Sequence, residues 1–275
     1  MPNKYELHIG FPDTAESEAM NFLGLLKREG REGWSYSEVS NVYTNPDLND
    51  PHNVPGTLKY LLSQNFSRRD GAHEDEVRVE AQWILSKLAS MEIEDARLEI
   101  EFVYGYLTRR QDGEHGEASL HFLKPPDWDR SKLELRDGAL LSTPNSEIHF
   151  IIQRDPAAGD SARDASTLSS AEASEILRGY GVSVQQTIEY RSQRMVEEAS
   201  EDRKVICTAY YGNPSVAERE ARRLFIGTGL YEELAEKGYS LKMVVERILG
   251  CYKPSRKSAA LTESHTADEP GMVRA

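Results

Sequence analysis

Three histidines share one setting. His8 lies in YELHIGF (5–11), His121 in SLHFL (119–123) and His149 in EIHFII (147–152), each with an apolar residue on both sides. Side chains alternate along a strand. His8 therefore shares a face with Glu6 and Gly10, His121 with Ser119 and Leu123, and His149 with Glu147 and Ile151. In RLEIEFVYGYLTR (97–109), Glu99 and Glu101 alternate with Leu98, Ile100 and Phe102. If these strands belong to one sheet, its polar face collects Glu6, His8, Glu99, Glu101, His121, Glu147 and His149. Antiparallel neighbours on one face approach to ~5 Å. Imidazoles and carboxylates at that range bind a divalent metal such as zinc, manganese or iron, or work as a general acid–base pair. The same face has a plainer reading, because the outer side of an antiparallel sheet is often solvated and polar. No H-E-x-x-H or other tight ligand spacing accompanies these residues.

The elements that would position them can be read from periodicity. Tyr5, Leu7, Ile9 and Phe11 alternate with polar residues, as in a half-buried strand. Asp13 or Thr14 then opens a helix carrying Ala19, Phe22, Leu23 and Leu26 as its apolar stripe. A second strand is expected at 34–43, a helix over 73–89 and the strongest strand at 97–109, with Leu98, Ile100, Phe102, Tyr104 and Tyr106 on one face. QDGEHGE turns into the His121 strand, and Asp137-Gly138 marks a hairpin within 132–142. Further strands are predicted at 147–154, 182–192 and 204–211, with helices near 171–180, 214–227 and 230–250.

This pattern predicts an α+β fold: a mainly antiparallel sheet of about eight or nine strands with helices packed on one face. Tandem ferredoxin-like units are one way to build it. Residues 1–252 form the globular region, with a possible division into two lobes near a flexible segment at 155–169. Residues 253–275 have almost no large apolar side chains and are expected to be disordered. A weak internal echo, TAESEAMNFLG against VAEREARRLFIG, raises the possibility of a duplicated strand–turn–helix unit.

Composition limits the function classes. Net charge is −13, which argues against bulk nucleic-acid binding. No apolar run approaches the ~20 residues of a membrane helix, and no signal peptide is recognisable. Two cysteines, Cys207 and Cys251, form no metal-type spacing and read as small buried hydrophobes in a cytoplasmic setting. No phosphate-binding, dinucleotide-binding or nucleophile-elbow motif is present, so the cofactor is unspecified. Residues 74–101 hold nine acidic side chains against three basic ones, a solvated face or a dock for a basic partner.

Two functions follow. The first is a non-catalytic binding or regulatory protein, engaging a protein or small-molecule partner through the polar face and the 44–57 loop. Its contacts would be Glu6, Glu147, Tyr104, Tyr106 and His52. The alternative is a metal-assisted, hydrolase-type enzyme whose site is built from His8, His121, His149, Glu99 and Glu101.

Overall fold

The computed structural model describes residues 4–42, 59–67, 74–93, 95–109, 118–128, 146–154, 168–190, 204–252 and 254. The elements run β1 (Lys4–Phe11), α1 (Glu16–Arg28), β2 (Ser35–Val42), β3 (Tyr60–Ser67), α2 (Glu74–Ser90), β4 (Arg97–Arg109) and β5 (Ala118–Phe122). They continue with β6 (Ser146–Arg154), α3 (Ser170–Gly179), β7 (Gln186–Tyr190), β8 (Lys204–Tyr211), α4 (Pro214–Ile226), α5 (Leu230–Glu236) and β9 (Tyr239–Tyr252). All strand pairs are antiparallel. The expected α+β class and sheet size are observed. Among the described residues, no helix is long and apolar enough to cross a membrane. The 44–57 loop, His52, the 132–142 hairpin and, apart from Pro254, the tail lie outside the described residues.

The strand order is β1-β3-β2-β7-β8-β6-β9-β4-β5, and β1 also pairs with β4. That extra pairing closes the sheet into a barrel, with β5 left as a flap. It is possible because β4 is long. Arg97–Val103 pair with β1, Gly105–Arg109 pair with β5, and the opposite edge pairs with β9 throughout.

The barrel is a tandem of two βαββαβ units. Strands β1 to β4 are ordered β4-β1-β3-β2, and β6 to β9 are ordered β9-β6-β8-β7, the ferredoxin-like arrangement in each case. The units join edge to edge through β2–β7 and β4–β9. In this correspondence α1 matches α3, and α2 matches α4. The A-E-x-E-A echo therefore links two helices, α1 and α4, that are not equivalent. The segment 155–169 connects β6 to α3 inside the second unit.

Helices cover the outside. α1 packs on β1 and β3, α3 on β7 and β8, and α4 on β6, β8 and β9. The main core lies between helices and sheet, and joins Leu7, Ile9, Phe11, Phe22, Leu85, Phe102, Phe150 and Leu224. Cys207 belongs to it, below α3, and burial pushes its thiol up to about 12. The barrel interior is different. Val103, Ile188, Val244, Ile248 and Cys251 are buried yet separate from that core.

The predicted helix over 230–250 stops at α5, and the rest is a strand. Gly238, at φ 80°, turns the chain between them. Leu241, Val244, Val245, Ile248 and Leu249 recur at helical spacing. They do so because β9 is flanked by β6 and β4 and buries apolar residues on both faces, Leu241, Met243 and Val245 in the outer core and Val244 and Ile248 inside the barrel, so its hydrophobicity does not alternate.

A metal-type cluster inside the barrel

The two units bring matching residues to matching positions. β1 carries Glu6-Leu7-His8, and β6 carries Glu147-Ile148-His149. Leu7 and Ile148 point into the outer core and are fully buried. Alternation then turns the Glu and His of each strand inward. Glu101 on β4 stands opposite Glu6, and Glu246 on β9 stands opposite Glu147. Ser63 on β3 stands opposite His8, and Thr208 on β8 opposite His149. The barrel thus holds Glu6, His8, Ser63 and Glu101 from one unit, and Glu147, His149, Thr208 and Glu246 from the other.

Side-chain contacts repeat as well. His8 Nδ1 lies 2.8 Å from Ser63 Oγ, and His149 Nδ1 lies 2.9 Å from Thr208 Oγ1. Each hydroxyl fixes its ring so that Nε2 faces the carboxylates. His8 Nε2 is 3.0 Å from Glu101 Oε2 and 3.6 Å from Glu6 Oε2. His149 Nε2 is 3.0 Å from Glu147 Oε1 and 3.4 Å from Glu246 Oε2. Glu101, Glu147 and Glu246 are only 2–3 % exposed. Lys4 pairs with Glu6 at the edge of the group.

Burial of so many acids is costly unless their charge is shared or neutralised. Burial, then the nearby Glu147, Glu246 and Glu99, raise the Glu101 carboxyl well above its ordinary range. Burial also opposes ionisation of Glu246, but His149 and a hydrogen bond with Glu101 outweigh it and hold Glu246 at about 2. Burial alone would lower both imidazoles. Glu6 reverses this for His8, and Glu147 and Glu246 reverse it more strongly for His149, so both are raised.

Among the described residues, two four-residue sets have metal-ligand character. Glu6, His8, Glu101 and Glu246 form one, and Glu101, Glu147, His149 and Glu246 form the other. Within each set, one ligand atom per residue lies within 4.8 Å of all the others. Tetrahedral ligands of a cation bound at about 2.1 Å lie about 3.4 Å from one another, so the widest pairs of either set draw in by up to about 1.4 Å to close around an ion.

The structure sorts the sequence candidates. His8, His149, Glu6, Glu101 and Glu147 converge. Glu99 is opposite His8 on the same face. His121 does not join them: it lies on β5, outside the closed barrel, and is exposed. Tyr104 is buried in the outer core, where its hydroxyl donates to the Pro214 carbonyl at 3.0 Å. Tyr106 does not share its face. A register shift between Val103 and Gly105 reverses the alternation, and Tyr106 aligns with Val244 and, through it, with His149. Glu246, Ser63 and Thr208 were not anticipated. Glu246 sits in the segment read as a helix. The repeated Glu-x-His on two strands was the available signal for the duplication.

No family model matches the chain, and no curated protein matches it. Solved structures with a weak overall likeness include two. One is an aldoxime dehydratase in complex with butyraldoxime, 11 % identical over 95 % of this chain and 85 % of that one, with a TM-score of 0.45. The other is a heme-bound DypB variant from Rhodococcus jostii RHA1, 15 % identical over 94 % of this chain and 95 % of that one, with a TM-score of 0.25. The expectation of a non-catalytic binding protein is corrected. The polar face gathers largely buried His and Glu side chains into one cluster in the barrel instead of presenting a broad docking surface.

Proposed function

We propose that the protein is a metal-dependent enzyme of hydrolytic type, working at the His/Glu cluster in the barrel. One observation carries this reading: six side chains from β1, β4, β6 and β9 bring imidazole nitrogens and carboxylate oxygens within ligand range, with three of the acids almost fully buried. A buried group of acids this dense is stabilised by a cation. Mixed nitrogen and oxygen donors without sulfur suit zinc, manganese or iron. Such an ion makes bound water a nucleophile near neutral pH and polarises the bond it attacks. Glu99, on the same face and outside both ligand sets, serves as the base that takes the water's proton. Ser63 and Thr208 act behind the imidazoles by fixing ring orientation.

The test is metal content of the purified protein beside His8→Ala/His149→Ala, with ester and phosphate-ester hydrolysis measured on both. The expected result is stoichiometric zinc, manganese or iron and metal-dependent turnover in the parent, with both lost in a folded variant. A metal-free parent that takes up none of these ions on incubation would end this reading.

A further inference from the structure

We infer that the cluster is a two-metal centre: Glu101 and Glu246 bridge two ions, Glu6 and His8 complete the ligands of one, Glu147 and His149 those of the other, and the two positions are unequal. This rests on the metal-dependent reading above and extends it to the number and ranking of the ions.

The two ligand sets overlap in Glu101 and Glu246 and in nothing else. His8 and His149 never occur in the same set, so an ion held by one imidazole is out of reach of the other. Each set has its own Glu-x-His pair and its own hydroxyl behind the ring. The shared pair also has spare coordinating capacity. Glu101 and Glu246 hydrogen-bond each other, and beyond that contact Oε2 of each is buried with an imidazole nitrogen nearby and no hydrogen bond of proper geometry. A carboxylate that bridges two ions uses both of its oxygens, so Oε1 of each side chain would join the unpartnered Oε2 when the ions bind. Ions sharing carboxylates lie about 3.5–4 Å apart, the spacing at which two metals grip the attacking and leaving oxygens of a hydrolysed substrate.

The inequality comes from the next row of the barrel. Glu99 is opposite His8, and Val244 is opposite His149. By their places in β4 and β9, these two residues correspond to each other. The His8 position therefore has one more carboxylate near it, and the Lys4 ammonium on its Glu6 is partly exposed and screened, so this position binds its ion more tightly.

Titration with Mn²⁺, followed by equilibrium dialysis and low-temperature electron paramagnetic resonance, tests this. The expected result is two Mn²⁺ per chain, bound in two distinguishable steps, with a spin-coupled spectrum at saturation. His8→Ala and His149→Ala should each retain one uncoupled ion. Glu99→Val should weaken the tighter step by about tenfold and leave the weaker one unchanged. Saturation at one ion, or two ions without coupling, overturns the bridged centre. Equal steps, or a Glu99→Val effect on both, overturns the ranking. Binding of no ion at all fails the metal-dependent reading itself, a separate outcome. The stoichiometry and spectrum of the parent decide the matter even if a variant does not fold.

Discussion

His8 and His149 occupy corresponding positions, but their surroundings diverge away from the carboxylates. Across the first unit the row reads Ser63, His8, Glu99 and then Cys251. Across the second it reads Thr208, His149, Val244 and then Tyr106. The residues that touch the centre are the same in both units. Those one step further out are an acid and a thiol on one side, and an aliphatic and an aromatic side chain on the other. The duplicated architecture supplies the Glu-x-His pair twice, and the second row gives each half a separate electrostatic character.

The largest effect is expected where the halves meet. Glu101→Gln/Glu246→Gln removes the charge shared by both ligand sets, so metal content and any metal-dependent turnover should vanish while the far-ultraviolet dichroism is retained. Retention of one ion by this variant would show that the halves bind independently.

Next comes the outer face, where the units are matched in packing rather than chemistry. Ile9 follows His8 and Phe150 follows His149, and both are fully buried against the helices. Phe150→Ala should cost about 3–5 kcal/mol, and Ile9→Ala about 2–5 kcal/mol, measured by denaturant unfolding. A cooperative loss in both cases would show that the halves unfold together. Two separate transitions would show that they do not.

The hydroxyls sharpen the comparison further. Ser63→Ala and Thr208→Val should each lower metal affinity by about 10- to 100-fold. Thr208→Val should have the larger effect, because Thr208 is fully buried and Ser63 is partly exposed. Metal titration of the two variants checks the order.

The smallest effect concerns the helix starts. In α3, Ser169 and Glu172 form a reciprocal cap, while α1 begins at Ala15 with no side-chain cap. Ser169→Ala should cost about 1 kcal/mol, and Ala15→Ser should gain a comparable or smaller amount. Hydrogen bonds from the Ser169 backbone and side chain lower the Glu172 pKa. Its contribution is therefore present above the unfolded carboxylate pKa and is lost as pH falls through the folded value. Ser169→Ala removes the side-chain hydrogen bond and keeps the larger backbone one, so it should flatten the acid limb of the stability curve only in part.

Much of this was readable in the sequence. Alternation around Leu7, Ile9, Ile148 and Phe150 identified two strands and their polar faces correctly, because each has one face against helices. The same rule failed on β9, where apolar residues are buried on both faces and Val244, Val245 and Ile248 mimic a helix. Glu246 was lost with it. Tyr106 was misassigned because a register shift in β4 leaves no trace in residue type. His121 has the same local sequence character as the other two histidines. What separates it is the pairing of β4 with β1 along one stretch and with β5 along the next, a property of strand neighbours and not of the segment itself.

The closing of the barrel has a consequence for biosynthesis. β4 ends at Arg109, and its partner β9 begins only at Tyr239. A nascent chain that has released the first unit therefore carries two unpaired strand edges, on β2 and β4, until the second unit follows. Such edges are templates for pairing with other chains, and contacts this distant in sequence form late. The interval between the two halves leaving the ribosome is the time in which this protein most needs a chaperone.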